Sequence, residues 1–266
     1  MKTVSAVMAG CLFGGAMAGM VGAARAQSAP ASPASALTIT ANVGLASDYR
    51  FRGISQTNKN PAVQGGFDLT HTSGLYAGVW ASNISWISDG NSAVSAPVEM
   101  DFYGGYRGEI VKGLTFDVGG LQYYYPGSYP SNQYFPRPHT FELYAQLGYG
   151  PFTLKYSNSL TRLFGLVNPT TGASTTNSGY IDLTGNFDLG WWGLSATGHV
   201  GHQFVHNYSK ASYTDWKIAL NKDLGKGFSA SLAYIDTNAD KSVYSAANNG
   251  RFLGGATVVA SITRTF

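Results

Sequence analysis

The chain has 266 residues, of which only 12% are charged and 14% are aromatic, and it carries 34 glycines. A soluble globular chain has about 25% charged residues, so this mixture fits a barrel with one face to lipid and the other to water better than an ordinary soluble domain. The formal charge of +3 falls close to balance once Lys2 and Arg25 of residues 1–26 are set aside; no basic run offers the footprint of a nucleic-acid binder, and Cys11, in that same stretch, leaves no disulfide, thiolate nucleophile or cysteine metal site beyond it.

Residues 1–26 read as a secretory signal. Lys2 supplies the positive start, residues 4–24 are apolar and small, and Ala24-Arg25-Ala26 predicts cleavage after Ala26. The many Gly and Ala weaken the rival reading, a retained transmembrane helix. A lipoprotein-type site at Met8-Ala9-Gly10-Cys11 has too short an apolar run before it. Residues 27–36 form a Ser/Ala/Pro stretch without periodicity, read as a disordered lead-in.

From residue 37 the sequence alternates. Residues 37–52 set Ile39, Ala41, Val43, Leu45, Tyr49 and Phe51 on one face and Thr40, Asn42, Ala46, Asp48, Arg50 and Arg52 on the other. The same division recurs at about 61–71, 74–84, 98–108, 113–124, 139–149, 151–162, 178–189, 192–205, 212–224, 226–237 and 253–266. Phe67 and Leu69 oppose Asp68. Phe102 and Tyr106 oppose Glu99, Asp101 and Arg107. Leu143 opposes Glu142, and Ile181 opposes Asp182. Segments of roughly ten residues are what a tilted strand needs to cross a bilayer. A soluble sandwich core would not accept ionisable residues far from the strand ends.

The connections alternate between tight and long. Tight ones lie at 71–74, 109–113, 148–151, 189–193 and 224–227; long ones lie at about 53–61, 84–97, 125–139, 162–178, 206–212 and 237–252. The expected fold is therefore all-β: a single antiparallel transmembrane β-barrel of about 12 strands spanning 37–266, with short periplasmic turns and longer extracellular loops. An even strand count puts both termini in the periplasm. With the signal segment, the expected location is a bacterial outer membrane, with its lipid as the outward partner.

The alternating final segment ends on Phe266, and this resembles the C-terminal signal read by the barrel-assembly machinery. Arg264 departs from that pattern and is expected to snorkel to the interface.

Ser47-Asp48-Tyr49-Arg50-Phe51-Arg52-Gly53-Ile54-Ser55-Gln56-Thr57 resembles the signature of the TorF-family porins, also known as Gcw_chp proteins. Pro61-Ala62-Val63-Gln64-Gly65-Gly66, the run from Gly74 to Asn83, and Glu99-Met100-Asp101 resemble it too. The likeness is specific over 47–104 and looser beyond. It implies a proteobacterial outer-membrane barrel and brings no catalytic residues with it.

Charged residues on the polar face are the candidate site: Asp48, Arg50, Arg52, Asp68, Glu99, Asp101, Arg107, Glu142 and Asp182. They read either as a constriction that sorts solutes or as an ion-pair network that fills a narrow barrel and fixes its register. Arg50 and Arg52 are expected near the outer mouth, at the height of Glu99 and Asp101. His199 and His202 fall on opposite faces and cannot chelate together; His202 sits on the apolar side, against the expected register. Ser195 and His199 share a face but lie roughly 13 Å apart along a strand, too far for a nucleophile and its base. Trp191 and Trp192 suit an interfacial girdle, and Tyr123, Tyr124, Tyr125, Tyr129 and Tyr134 suit a girdle and loop packing or a sugar-binding loop. The expected function is passive diffusion of small solutes, with no catalytic residue, metal or cofactor called for. The rivals are a non-conducting structural or adhesive barrel and an outer-membrane lipid hydrolase.

Overall fold

The computed structural model describes residues 36–130 and 137–266. The signal segment with its cleavage position at Ala26, the lead-in up to residue 35 and Tyr134 lie outside the described residues.

Twelve strands form a closed barrel wall. They are β1 (Leu37–Ala46), β4 (Ala62–His71), β5 (Leu75–Asn83), β6 (Val98–Val111), β7 (Leu114–Tyr124), β8 (Thr140–Tyr149), β9 (Phe152–Ser159), β10 (Gly179–Asp188), β11 (Leu194–Phe204), β12 (Tyr213–Gly225), β13 (Phe228–Thr237) and β14 (Thr257–Thr265). Two short strands, β2 (Arg50–Phe51) and β3 (Ile54–Ser55), pair only with each other. Each wall strand runs antiparallel to its neighbours, and β1 closes on β14 through Asn42↔Thr265 to Ala46↔Ser261. No helix among the described residues is long and apolar enough to cross a membrane.

The outward face is apolar and uncovered. Ile39, Phe67 and Ile218 are 68%, 62% and 69% exposed, and the same face carries Leu143, Leu154, Ile181 and Val258. Water would penalise so continuous an apolar surface, whereas lipid satisfies it and a closed barrel leaves no strand edge unpaired. His202 keeps its place on this face: the register runs unbroken through Ile181↔His202, and its ring meets the Thr214 hydroxyl at 2.8 Å and packs against Phe204. No bulge is needed there.

The first predicted segment is too long. β1 stops at Ala46, and the chain turns into the lumen. Arg52 (φ 46°) and Gly53 (φ 77°) form a two-residue turn with both φ positive, the geometry that joins twisted antiparallel strands. Glycine is needed at 53 on spatial grounds as well, because a Cβ there would meet the Thr237 and Asp215 side chains. The first long connection therefore starts at residue 47, six residues earlier than expected. Tyr49 and Phe51, expected to face lipid, are 1% and 9% exposed and lie inside the barrel.

The tight turns gather at one end, together with the start of β1 and the end of β14, and the long connections gather at the other. Trp191 and Trp192 stand exposed at the tight-turn end, and Arg264 lies over the Phe228 and Phe266 rings.

Candidate functional site in the barrel bore

The β2–β3 hairpin is the feature around which the bore is arranged. Arg50 is its internal brace. Its Nε donates to Asp48 at 2.6 Å, and its Nη1 donates to the carbonyls of Gly53 (2.9 Å) and Leu253 (2.7 Å). Asp48 also accepts from Ser55 Oγ at 2.6 Å and Thr57 Oγ1 at 3.2 Å. The Asp48 and Arg50 side chains are 5% and 1% exposed, so the pair braces the fold and is withdrawn from any passage. Leu253 also accepts from Ser55 N–H, and Asn58 from Arg251, so the loop before β14 clasps the hairpin. Lys59, just beyond, is held below its ordinary ammonium range, first by burial and then by the Arg50 guanidinium.

Arg52, at the hairpin tip, reaches the far walls. Its Nη2 donates to Glu142 on β8 at 2.7 Å and its Nη1 donates to Gln203 on β11 at 2.7 Å. Its guanidinium also lies 4.3 Å from the Tyr180 ring centre. One side chain therefore ties the hairpin to two strands, β8 and β11. Being expected at the height of Glu99 and Asp101 does not make the arginines their partners: Arg50 takes Asp48 and Arg52 takes Glu142.

Glu99 instead accepts hydrogen bonds from the phenols of Tyr49 and Tyr125. Tyr49 packs edge-on against Trp80, and Phe51 against Tyr123 and Phe164. These rings fill one side of the bore beside the hairpin. Tyr49 was misassigned because a phenol that reaches a buried carboxylate and a Trp edge gains more here than it would in lipid. Asp101, two residues along β6, is 4% exposed, and its Oδ1 has no hydrogen-bond partner. Towards the tight-turn end, Tyr103 donates to Asp68 at 2.6 Å, and Arg107 donates to Thr70 at 3.1 Å. Asp182 lies 3.1 Å from His199 Nδ1, and His199 Nε2 lies 2.8 Å from Asp215.

All nine predicted charges are therefore inside the barrel, but they form separate groups and not one ring. Sequence reasoning missed Asp117, Asp215, Lys155 and the tyrosines Tyr76, Tyr144 and Tyr180. Their signal was the same inward parity; a phenol reads equally well as a girdle residue. Ser195 and His199 share the inward face without pairing, for Ser195 Oγ accepts from Asn221 and both His199 nitrogens meet aspartates.

A closed twelve-strand wall, apolar outside and ionic within, defines the chain as an outer-membrane-type β-barrel. Residues 30–266 match the family described as "Bacterial protein of unknown function (Gcw_chp)", and the chain belongs to that family. Solved porins share the architecture. The NanC porin aligns with a TM-score of 0.53 at 13% identity over 86% of this chain and 99% of its own. The KdgM porin gives 0.52 at 6% identity over 86% and 98%. The KdgM porin in complex with disordered oligogalacturonate gives 0.51 at 5% identity over the same shares. At such identities the likeness concerns the fold. A comparison with curated protein sequences finds no match.

Proposed function

We propose that the chain is an outer-membrane channel through which small solutes diffuse. The observation that carries this reading is the infolded hairpin, whose tip residue Arg52 is fixed across the bore to Glu142 and Gln203. The tie holds a charged finger inside the lumen, where a pore uses one to set its width and selectivity. The porin fold of KdgM and NanC supports it. In the same reading the leader is cleaved after Ala26, residues 27–36 lead into the barrel, and the tight turns and both termini face the periplasm. The TorF subfamily and delivery to the barrel-assembly machinery through Phe266 belong to this proposal as well.

The rival with an observation behind it is a non-conducting barrel, because many inward side chains, Glu142, Gln64 and Asn221 among them, are under 5% exposed. Reconstitution into planar bilayers decides between them. Discrete current steps are the expected result; a folded barrel, verified by β-type circular dichroism in detergent, that passes no current refutes the channel.

A further inference from the structure

Below the hairpin the wall is built in layers. Tyr76, Tyr103, Tyr144 and Tyr180 lie against Gly105, Gly78, Gly119 and Gly201 of the adjacent strands. At each of these glycines a Cβ would overlap the tyrosine ring or its hydroxyl. The missing side chain lets each ring lie along the wall, where otherwise it would stand in the bore.

Three of these rings cross one strand to reach a carboxylate on the next. Tyr76 donates to Asp117 at 2.6 Å, Tyr103 to Asp68 at 2.6 Å, and Tyr180 to Asp215 at 2.8 Å. The Tyr144 hydroxyl meets that of Tyr76.

Cations cover the rings. Arg107 lies 5.0 Å from the Tyr76 ring centre, Lys155 lies 4.2 Å from that of Tyr144, and Arg52 lies 4.3 Å from that of Tyr180. Each ring lies against a glycine of the adjacent strand, and three of the four, Tyr76, Tyr144 and Tyr180, also carry a cation. Asp117 and Asp215 are 3% and 2% exposed, while Arg107 and Lys155 are half-buried. Three inward carboxylates on the described strands, Asp68, Asp182 and Asp223, stay half-buried, the first two held by Tyr103 and by His199 with Thr184, and Glu109 and Asp188 stand exposed at the tight-turn rim. Lys217, also half-buried on the inward face of β12, adds a further cation opposite His199.

We infer that the bore prefers small anionic solutes, because the tyrosine hydroxyls hold the carboxylates against the wall while Arg107 and Lys155 face the passage. A bare count of inward charges, with more acids than bases, would point the other way; the layering decides which charges a passing ion meets. This inference rests on the channel reading. The test is the reversal potential of the reconstituted full-length barrel under a potassium chloride gradient, for the unaltered protein, Lys155→Met and Arg107→Gln.

Chloride is expected to be the more permeant ion. Each variant is expected to lower the chloride-to-potassium permeability ratio by about fourfold, since one unit charge about 10 Å from the ion path in water acts on the two ions oppositely and about twofold each. Potassium preference, no preference, or a ratio unchanged in both variants overturns the inference and leaves the channel standing. A folded barrel without current overturns both.

Discussion

Replacing Arg52 by alanine tests whether the hairpin tip is held as described. The Arg52 and Glu142 side chains are 7% and 3% exposed and meet at 2.7 Å. Removing the guanidinium takes the ion partner from a buried carboxylate that keeps the Tyr123 hydroxyl at 3.4 Å. Breaking one side of such a pair costs about 3–5 kcal/mol, mostly the penalty of the orphaned charge. Glu142→Gln alone leaves the buried Arg52 guanidinium without its counter-ion, whereas losing both partners leaves neither charge orphaned. The double variant Arg52→Ala/Glu142→Gln should therefore be more stable than the two single losses add up to, with a coupling of about 1–3 kcal/mol. Urea unfolding of barrels refolded into lipid vesicles, followed by tryptophan fluorescence, measures all four corners of the cycle. In the same preparations Arg52→Ala should give larger current steps, because the side chain that crosses to β8 and β11 is gone. Additive losses, or an Arg52→Ala barrel within about 0.5 kcal/mol of the parent, would refute the reasoning.

Further outcomes are expected. Gly201→Ala puts a Cβ into the Tyr180 ring and should cost about 1–3 kcal/mol by overpacking; Tyr180→Ala in the same chain should recover part of the loss, and equal losses with and without Tyr180 would contradict the packing described. Phe67→Arg places a charge on the outward face and should destabilise the refolded barrel by about 2–4 kcal/mol, whereas a neutral result would mean that this face does not meet lipid. His139 stacks on Tyr124 with ring centres 4.7 Å apart and accepts from the Tyr125 N–H at 3.1 Å. Burial, and then the Arg137 charge, hold its pKa below the ordinary 6.5. The fold favours neutral His139, so its contribution is full above about pH 6.5 and is lost as the pH falls below it. Hydrogen exchange at Tyr125, corrected for the intrinsic pH effect, should show protection falling on acidification; protection that rises would reverse the assignment.

The wall was legible in the sequence because its cause is local. Successive strand residues point to opposite faces whatever surrounds them, so Ile39, Phe67, Leu143 and Ile181 could be assigned to lipid and Asp68, Glu142 and Asp182 to the interior from spacing alone. Tight turns alternating with long connections gave the up-and-down order by the same local chemistry. The pairing inside the bore was not legible. Strand order put Arg50 and Arg52 at the height of Glu99 and Asp101 but named no partners; the structure gives them Asp48 and Glu142, because partners are set by which segments the barrel brings opposite each other.

Residues 47–53 draw the line between the two kinds of information. Their alternation of Asp48, Arg50 and Arg52 with Tyr49 and Phe51 is real, and it does describe an extended chain. Period two is the same for a wall strand and for a hairpin folded into the lumen, so the pattern cannot say which strand the segment pairs with. By itself the sequence determined a barrel and the outward or inward sense of its wall. Only the tertiary structure decided that the chain leaves the wall after Ala46, turns at Arg52 and Gly53, and spends Tyr49 on Glu99, because those choices depend on contacts with strands far along the chain.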